Sequence, residues 1–236
     1  MYNDIMNLYG EYANITLLQR YLSDNGANVI TDTLSLYEEK DISGYDFYYM
    51  GSGTEKNQKI VLKDIEKYKE TLTKASEENK VMLFTGNAFE ILGSKITTAD
   101  GTEFEGLSIG DFETSEGTKR IVGDCLASAE YSEVYHIGFI NKCSVTKGVT
   151  TPLFKMKMGF GNEKEGGDEG FVKNNTFGTH LIGPVFVKNL HFLNMTAEKL
   201  GCEINTQIQS QDIYKYMDKS HYNSVKQLLE RIENEK

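Results

Sequence analysis

The stretch KVMLFTGNAFEILG, residues 80–93, decides the fold. Its apolar run, residues 81–84, breaks at Thr85-Gly86-Asn87 and resumes with apolar residues at helical spacing, so we predict a strand, a sharp turn and a helix. In an open α/β sheet this junction lies at the carboxyl end of a strand, where ligands and reacting side chains collect. In hydrolases of this architecture the strained turn points a nucleophilic side chain toward the substrate. That position here is Gly86, so the sequence predicts an active-site location without its reacting atom.

The segments before this stretch alternate between helical and strand patterns. Residues 15–22 have apolar side chains at helical spacing, whereas residues 28–36 are β-branched and predict a short strand. Residues 45–50 predict an aromatic-rich strand that ends in the turn Gly51-Ser52-Gly53, whose backbone N–H groups are exposed. Residues 55–79 predict a long surface helix. Strands that alternate with helices predict a parallel, doubly wound sheet.

The pattern changes after Gly93. Residues 97–118 are polar, and residues 161–170 predict a charged, glycine-rich and solvated connector. Alternating apolar spacing predicts strands at 120–126, 133–140 and 153–160 and two short strands within 171–187. Apolar residues at helical spacing predict helices at 190–200 and 207–233. We expect the three longer strands to be antiparallel in part.

Length and composition narrow the class of protein. The 236 residues predict a single domain, residues 1–236. The formal net charge of −10 argues against binding of nucleic acid or anionic membranes, since both select lysine and arginine. Cys125, Cys143 and Cys202 have no metal-ligand spacing and predict neither a disulfide framework nor a zinc site. No apolar run is long enough to span a membrane. We therefore expect a cytoplasmic protein with no metal and no cofactor.

Several segments occur in an order that is typical of one family. They are NLYGEYAN (7–14), YDFYYMGSGTE (45–55), VMLFTGNAFEILG (81–93), KRIVGD (119–124), GFIN (138–141), EGFVKNN (169–175) and GTHLIGP (178–184). With them the chain resembles the class I glutamine amidotransferases of the cobyric acid synthase, or CobB/CobQ-like, type. Within this type it is most similar to the amidotransferase subunit of lipid II isoglutaminyl synthase. The resemblance implies a three-layer α/β fold, with a central, mostly parallel sheet and helices on both faces.

The resemblance also implies a reaction. In the family, a cysteine thiolate at the turn attacks the amide carbon of glutamine, a histidine activates the thiol and protonates the departing ammonia, and backbone N–H groups hold the oxyanion. Carried over residue by residue, the cysteine position is Gly86 and the histidine position is Ile182. Losing such a unit costs roughly 10⁴- to 10⁶-fold in rate. We therefore predict that the chain does not hydrolyse glutamine by the family's mechanism.

Other residues are candidates for substitute chemistry or ligand binding. Thr85 is the hydroxyl nearest to the turn, and Cys143 with His180 is an alternative thiol and imidazole pair. On the other interpretation, His180 replaces a family tyrosine in a pocket wall. By the resemblance, Arg120 occupies a basic position that is implicated in glutamine binding, and an exposed strand end is its alternative role. The predicted ligand-binding set is Gly51, Gly53, Asn87, Arg120 and His180.

Two functional hypotheses follow. The first is a catalytically degenerate subunit that binds a Mur-ligase-like synthetase subunit, glutamine or a related small molecule. The second is an active amidotransferase or glutaminase, in peptidoglycan or cobyric-acid-type amidation, with an unrecognised nucleophile. A sensor that binds an amino acid without a partner is a third alternative. The family also begins with an apolar strand that has no counterpart here, so either the chain starts upstream of Met1 or the sheet has an exposed edge.

Overall fold

The computed structural model describes residues 1–234. The helices are α1 (Tyr12–Asp24), α2 (Glu55–Ile65), α3 (Lys69–Glu77), α4 (Val185–Lys188), α5 (Leu190–Lys199), α6 (Thr206–Gln209) and α7 (Asp212–Asn234), with short 3₁₀ helices at Leu8–Gly10, Glu66–Tyr68 and Gly86–Leu92. The strands are β1 (Phe47–Met50), β2 (Val81–Thr85), β3 (Lys95–Thr97), β4 (Glu103–Glu105), β5 (Glu113–Ala129), β6 (Ser132–Lys147), β7 (Phe154–Met158), β8 (Asp168–Glu169), β9 (Phe171–Lys173) and β10 (Thr176–Thr179).

The strands form two sheets. The central sheet has the order β1-β2-β10-β9, in which β1, β2 and β10 are parallel and β9 is antiparallel to β10. The second sheet has the order β4-β3-β5-β7-β8, and the long strand β6 pairs with β5 in an antiparallel hairpin. A parallel core followed by antiparallel strands agrees with the change of pattern after Gly93.

Helices cover both faces of the central sheet because its strands point alternate side chains into two cores. One set of buried side chains, Tyr48, Met50, Met82 and Phe84, shares a core with residues of α2 and α3. The alternate set, Tyr49, Val81, Leu83 and Phe177, shares a core with residues of α1 and α5. The prediction of a layered α/β fold with helices on both faces is confirmed.

The junction after β2 differs from the predicted one in its helix type. Gly86 has a φ of +59°, and residues Gly86–Leu92 form a 3₁₀ helix rather than an α-helix. The carbonyls that would continue an α-helix bond elsewhere, since Ile91 O accepts from Leu107 N at 2.8 Å and Leu92 O accepts from Gly110 N at 3.0 Å. The loop 107–110 therefore supplies the backbone donors that the next turn of an α-helix would have supplied, and it holds the end of the 3₁₀ helix in place.

Two other sequence predictions are wrong in detail. Residues 28–36 form no strand, because the backbone of residues 28–32 makes no hydrogen bond within the described residues 1–234. The predicted long helix at 55–79 is split into α2 and α3 by the 3₁₀ turn Glu66–Tyr68. The polar segment 97–118 contains β4 and the start of β5.

The segment 161–170 is not a purely solvated connector. Asn162 and Glu169 are buried in it. Both amide atoms of Asn162 bond to Gly170, as Nδ2 donates to its carbonyl and Oδ1 accepts from its N–H, each at 2.9 Å. Glu169 lies on β8, which pairs with β7. Polar residues in a glycine-rich segment look solvated in sequence, but these two are hydrogen-bonded inside the fold, Asn162 with Gly170 and Glu169 with Thr179 and His180.

The helix α7 packs on the second sheet and buries Tyr214, His221 and Leu228. None of the helices within residues 1–234 combines the length and the apolar character that crossing a bilayer requires.

Three histidines meet where α5 and α7 pack against β6. The ring centroids of His136 and His191 are 4.1 Å apart, and those of His191 and His221 are 5.2 Å apart. Burial, and then the other two rings, lowers the pKa of His136 well below its usual value. Burial, and then His221, lowers the pKa of His191 to about 4. Burial also lowers the pKa of His221, so the neutral form of all three rings is favoured in the folded protein.

We expect this histidine cluster to make the fold acid-labile. As the pH falls from about 6.5 towards about 4, His191 becomes protonated in the unfolded chain but stays neutral in the folded protein. The free energy of unfolding therefore falls in that pH range. A His191→Leu variant lacks the contribution of His191, so its free energy of unfolding should fall less over the same pH range. Chemical unfolding of both proteins at pH ~7 and pH ~4.5 measures the difference, and an equal fall in both contradicts the prediction.

Candidate active site

The space at the nucleophile position is occupied by other side chains. A Cβ atom placed on Gly86 lies within 2.5 Å of Ser52 Cβ, closer still to Ser52 Oγ, and 3.0 Å from Ile182 Cγ2. Ile182 is buried, and its backbone N–H and carbonyl pair with Phe139. The sharp turn is therefore present, but Ser52 and Ile182 fill the volume that a reacting side chain needs.

The glycine turn beside the junction is closed by Asn87. Asn87 Oδ1 accepts from the backbone N–H of Gly53 at 2.9 Å and from Ser52 Oγ at 3.4 Å. A backbone N–H of this kind is what an oxyanion would need as a donor. Because the Asn87 side chain already accepts the hydrogen bond from the Gly53 N–H, this donor is not available to an oxyanion.

Glu11 connects the segment 7–14 to the end of β2 through hydrogen bonds of its carboxylate. Its carboxylate is buried, accepts from Gly183 N at 3.1 Å and from Tyr49 Oη at 3.0 Å, and also accepts from the Thr85 hydroxyl. Burial raises the pKa of Glu11, against the opposing effect of these hydrogen bonds. The Thr85 hydroxyl is thereby engaged beneath the turn, and Thr85 is fully buried. Glu11 lies in the segment NLYGEYAN (7–14), but no pattern in that segment indicates its contact with Thr85.

A polar cavity of about 230 Å³ opens next to Asn87. The segment 8–9, the turn 52–55, the 3₁₀ helix and the strands β5 and β6 form its walls. Its charged lining residues are Glu55, Glu90, Glu116, Arg120 and Lys142, and its smaller polar groups include Ser52, Asn141, Cys143 and Ser144. Of the predicted ligand-binding set, Gly53, Asn87 and Arg120 line this cavity, whereas Gly51 and His180 do not.

Arg120 lies at the cavity and is already paired. Its guanidinium donates to Glu55 Oε1 at 2.5 Å and to Asn141 Oδ1 at 2.8 Å, and its side chain is 46% exposed. Burial raises the pKa of Glu55, but the hydrogen bond and charge of Arg120, with the hydrogen bonds from the Glu55 backbone N–H and from Cys143, together outweigh this and the net shift is downward. A carboxylate ligand would have to compete with Glu55 for this guanidinium. Both suggested roles of Arg120, ligand contact and exposed strand end, are compatible with this position.

Cys143 and His180 do not form a pair. The Cys143 thiol donates to Glu55 Oε1 at 3.5 Å, and burial together with the Glu55 charge raises the pKa of the thiol to about 11. His180 is buried, and its ring nitrogens face Glu90 and Glu169. Within residues 1–234, no hydrogen bond joins the thiol to the imidazole.

A buried network of charges surrounds His180 instead. Its Nε2 lies 3.3 Å from Glu90 Oε1, and its Nδ1 lies 3.3 Å from Glu169 Oε1 and 3.4 Å from Lys142 Nζ. Lys142 Nζ donates to the carbonyl of Gly161 at 2.8 Å. All four charged or titratable side chains, Glu90, Lys142, Glu169 and His180, are at most 4% exposed.

Neutral groups complete the network at Glu90. Gln58 Nε2 donates to its Oε2 at 2.6 Å, and the Ser144 hydroxyl donates to its Oε1. Burial raises the pKa of Glu90, but the hydrogen bond and charge of His180 and the hydrogen bonds from Ser144 and Gln58 together outweigh it, and the pKa is lowered. Burial lowers the pKa of Lys142, against the opposing charges of Glu169 and Glu90. No pattern in the sequence indicates that Glu90 and Lys142 both border His180.

The arrangement offers a small polar binding site rather than a nucleophile. The described residues 1–234 contain no group of three or more His, Cys, Asp or Glu side chains placed to hold a metal ion. The hydroxyls of Ser52 and Ser144 and the thiol of Cys143 line the cavity, and each is bonded to another side chain.

Comparisons with known proteins identify relatives of the chain. GatD, the subunit of lipid II isoglutaminyl synthase (glutamine-hydrolyzing), from Staphylococcus aureus (strain N315) is 31% identical over 201 residues, which cover 85% of this chain and 82% of that protein. The corresponding Streptococcus pneumoniae (strain ATCC BAA-255 / R6) subunit is 30% identical over 193 residues, covering 80% and 74%. A probable cobyric acid synthase from Methanothermobacter thermautotrophicus is 27% identical over 132 residues, covering 49% of this chain and 26% of that protein.

One solved structure and one family model also match the chain. Among solved structures, a chain of PurLQS from Thermotoga maritima has a TM-score of 0.46 and 12% identity, covering 81% of this chain and 84% of that one. The CobB/CobQ-like glutamine amidotransferase domain matches residues 1–190. The chain therefore belongs to the CobB/CobQ-like glutamine amidotransferase family.

Proposed function

We propose that this chain is a catalytically silent amidotransferase subunit that acts by binding. The observation that carries the proposal is the filled space at Gly86, where Ser52 and Ile182 occupy the position that the Cβ atom of a cysteine would take. Glycine and isoleucine supply neither a nucleophile nor a base, and loss of such a unit typically costs about 10⁴- to 10⁶-fold in rate. Since the related GatD proteins are subunits of lipid II isoglutaminyl synthase, we assign the partner as a Mur-ligase-like synthetase subunit.

The cavity supports a second binding partner, glutamine or a related amino acid. An α-carboxylate suits Arg120 as a bidentate acceptor, and an ammonium group suits Glu55 once that carboxylate is displaced. The ligand side chain would then point toward Asn87 and Ser144. The Arg120 and Glu55 pair is thus the part of the cavity on which ligand affinity depends.

The alternative of an active enzyme rests on the thiol of Cys143 at the cavity wall. With a pKa of about 11, roughly one such thiol in 10⁴ is ionised at pH 7. Its hydrogen bond goes to a carboxylate and not to a base that would activate it. These features favour the silent subunit over peptidoglycan or cobyric-acid-type amidation by this chain alone.

Two further assignments belong to the same proposal. We assign residues 1–234 to a single domain, because β6 bridges to Ile182 beside the central sheet and Lys142 of β6 enters the buried network. We assign a cytoplasmic location, because Cys125, Cys143 and Cys202 are all free thiols.

Ammonia release from glutamine tests the proposed function. We expect none above the buffer rate from the purified chain, alone or with the Mur-ligase-like protein encoded nearest to its gene. Release by the natural chain that is lost in a Cys143→Ala variant contradicts the proposal and supports the active alternative. Release that survives Cys143→Ala contradicts it too, and leaves the hydroxyls of the cavity as candidates.

Ligand binding is tested separately by thermal unfolding with glutamine. At a ligand concentration about a hundred times the dissociation constant, binding stabilises a protein by ~2.7 kcal/mol. We expect a shift for the natural chain that is lost in Arg120→Met and kept in Lys119→Met, a matched change at the neighbouring position. No shift with glutamine, together with tight binding to the synthetase partner, would restrict the function to partner binding.

A further inference from the structure

One end of the polar cavity is formed by two carboxylates. Glu116 on β5 lies directly opposite Ser144 on β6, so both side chains are on the same face of the hairpin. The Ser144 hydroxyl donates to Glu90 Oε1, and all three residues line the cavity. We call Glu90, Glu116 and Ser144 the acidic end. Arg120 is farther away, because it donates to Asn141, which lies roughly 10 Å before Ser144 along β6.

Negative charge exceeds positive charge around this cavity. Within residues 1–234, the carboxylates of the cavity wall and of the buried network are Glu55, Glu90, Glu116 and Glu169, and the cations that pair with them or act on them are Lys59, Arg120 and Lys142. Four carboxylates therefore share three cations. The charge is balanced if His180, 3.3 Å from both Glu90 Oε1 and Glu169 Oε1, takes up a proton, or if a cation enters the cavity.

The acidic end also lacks a hydrogen-bond donor. The Glu116 side chain is only 8% exposed, and its Oε2 accepts from Lys59 Nζ at 3.0 Å and from Ala99 N at 3.4 Å. Its Oε1 is buried and lies 3.0 Å from the same ammonium, but no hydrogen bond is directed at it from residues 1–234. A buried carboxylate oxygen without a directed donor is unfavourable. A ligand that brings both a donor and a positive charge would correct both deficits.

We propose that the cavity binds an amino acid whose side chain ends in an ammonium group, with the length of ornithine. The inference rests on the ligand binding proposed above and names the class of ligand. The α-carboxylate contacts Arg120, and the side-chain ammonium lies between Glu90 and Glu116, where it donates to Glu116 Oε1. The volume of about 230 Å³ corresponds to roughly eight water molecules, which suits a small amino acid. Glutamine fits less well, because its amide oxygen would face the carboxylates.

The test compares three ligands of similar length on the natural chain. Ornithine, glutamine and glutamate share the same α-carboxylate and α-ammonium groups, but their side chains end in a positive, a neutral and a negative group. Isothermal titration calorimetry measures the three dissociation constants. We expect ornithine to bind about tenfold more tightly than glutamine, because a hydrogen bond between ionised groups is roughly twice as strong as a neutral one. Glutamate should bind most weakly of the three.

A pair of variants locates the effect. Glu116→Gln keeps the size of the side chain and removes its charge, so it should weaken ornithine binding about tenfold and change glutamine binding less than about twofold. Glu113→Gln is the matched control, since Glu113 is on the same strand, its side chain is 58% exposed and it does not line the cavity. We expect it to leave both dissociation constants unchanged. The ligand series on the natural chain does not depend on the folding of any variant.

The outcomes separate this inference from the proposed function. Glutamine binding that equals or exceeds ornithine binding overturns the inference and leaves the proposed glutamine site in place. Binding of none of the three ligands overturns the inference together with the ligand site, whereas binding of the synthetase partner is judged by its own measurement. An ornithine preference that persists in Glu116→Gln, or that is lost equally in Glu113→Gln, overturns the role of the acidic end.

Discussion

A Gly86→Ala variant is expected to lose about 3 to 5 kcal/mol of its free energy of unfolding. Two costs add. The φ of +59° is unfavourable for a residue with a Cβ, by about 1–2 kcal/mol, and the new methyl group meets the Ser52 side chain well inside van der Waals contact. Denaturant titration of the variant and the natural chain measures the sum.

Two further variants separate these costs. Gly101 has a φ of +86° and open space around its Cα, so Gly101→Ala carries the conformational cost alone, about 1–2 kcal/mol. In a Gly86→Ala chain, Ser52→Gly removes the obstructing side chain and should recover the excess over Gly101→Ala. If Gly86→Ala costs no more than Gly101→Ala, Ser52 does not fill the nucleophile position.

The same obstruction has a consequence for any attempt to restore activity. A Gly86→Cys/Ile182→His chain regains the two reacting groups but still has Ser52 against the new Cβ. We expect ammonia release only when Ser52→Gly is added, since a thiol displaced from the turn cannot reach attack geometry. Equal activity of the double and triple variants would contradict this role of Ser52.

A Lys142→Met variant is expected to lose roughly 3–5 kcal/mol of stability near neutral pH, because it removes the ammonium charge that acts on the buried carboxylates of Glu169 and Glu90 and leaves the Gly161 carbonyl without its donor. Methionine has a similar volume, so packing contributes little to the loss. Removing a nearby cation disfavours the ionised form of a buried carboxyl group, so the loss should become smaller as the pH is lowered.

The control is Lys164→Met, an exposed lysine in the neighbouring glycine-rich segment, where we expect a change within ±0.5 kcal/mol. Chemical unfolding at several pH values compares the two variants with the natural chain. A loss for Lys142→Met that is independent of pH would show that Lys142 stabilises the fold by packing alone.

The position of the candidate site was predictable because it depends on local patterns. An apolar run that stops at a glycine and resumes at helical spacing identifies the end of β2, and the family resemblance then places the missing cysteine and histidine at Gly86 and Ile182. The layered α/β fold follows from the alternation of strands and helices in the first half. The comparisons confirm the family. The binding roles of Gly51, Gly53, Asn87, Arg120 and His180 stay predictions.

The remaining features depend on contacts between distant parts of the chain. Whether Ser52 fills the space beside Gly86 is decided by how β1 and β2 align, and no pattern within either segment reports it. The burial of Glu90 and Lys142 was unpredictable for the same reason, since charged residues are usually exposed. Residues 28–36 have the composition of a strand, but a strand exists only where another one pairs with it.

The position of β10 in the central sheet has a consequence for the order in which the protein folds. β2 pairs with β10, about ninety residues later in the chain, and between them lies the β5 and β6 hairpin, whose partners are close in sequence. Local pairings form early because they close short loops, whereas distant pairings form late. During synthesis on the ribosome, β1 and β2 must therefore wait for the hairpin and for residues Thr176–Thr179 before the central sheet is complete. Until then the apolar residues of β2 remain open to other contacts, which makes this interval the one in which a chaperone matters most.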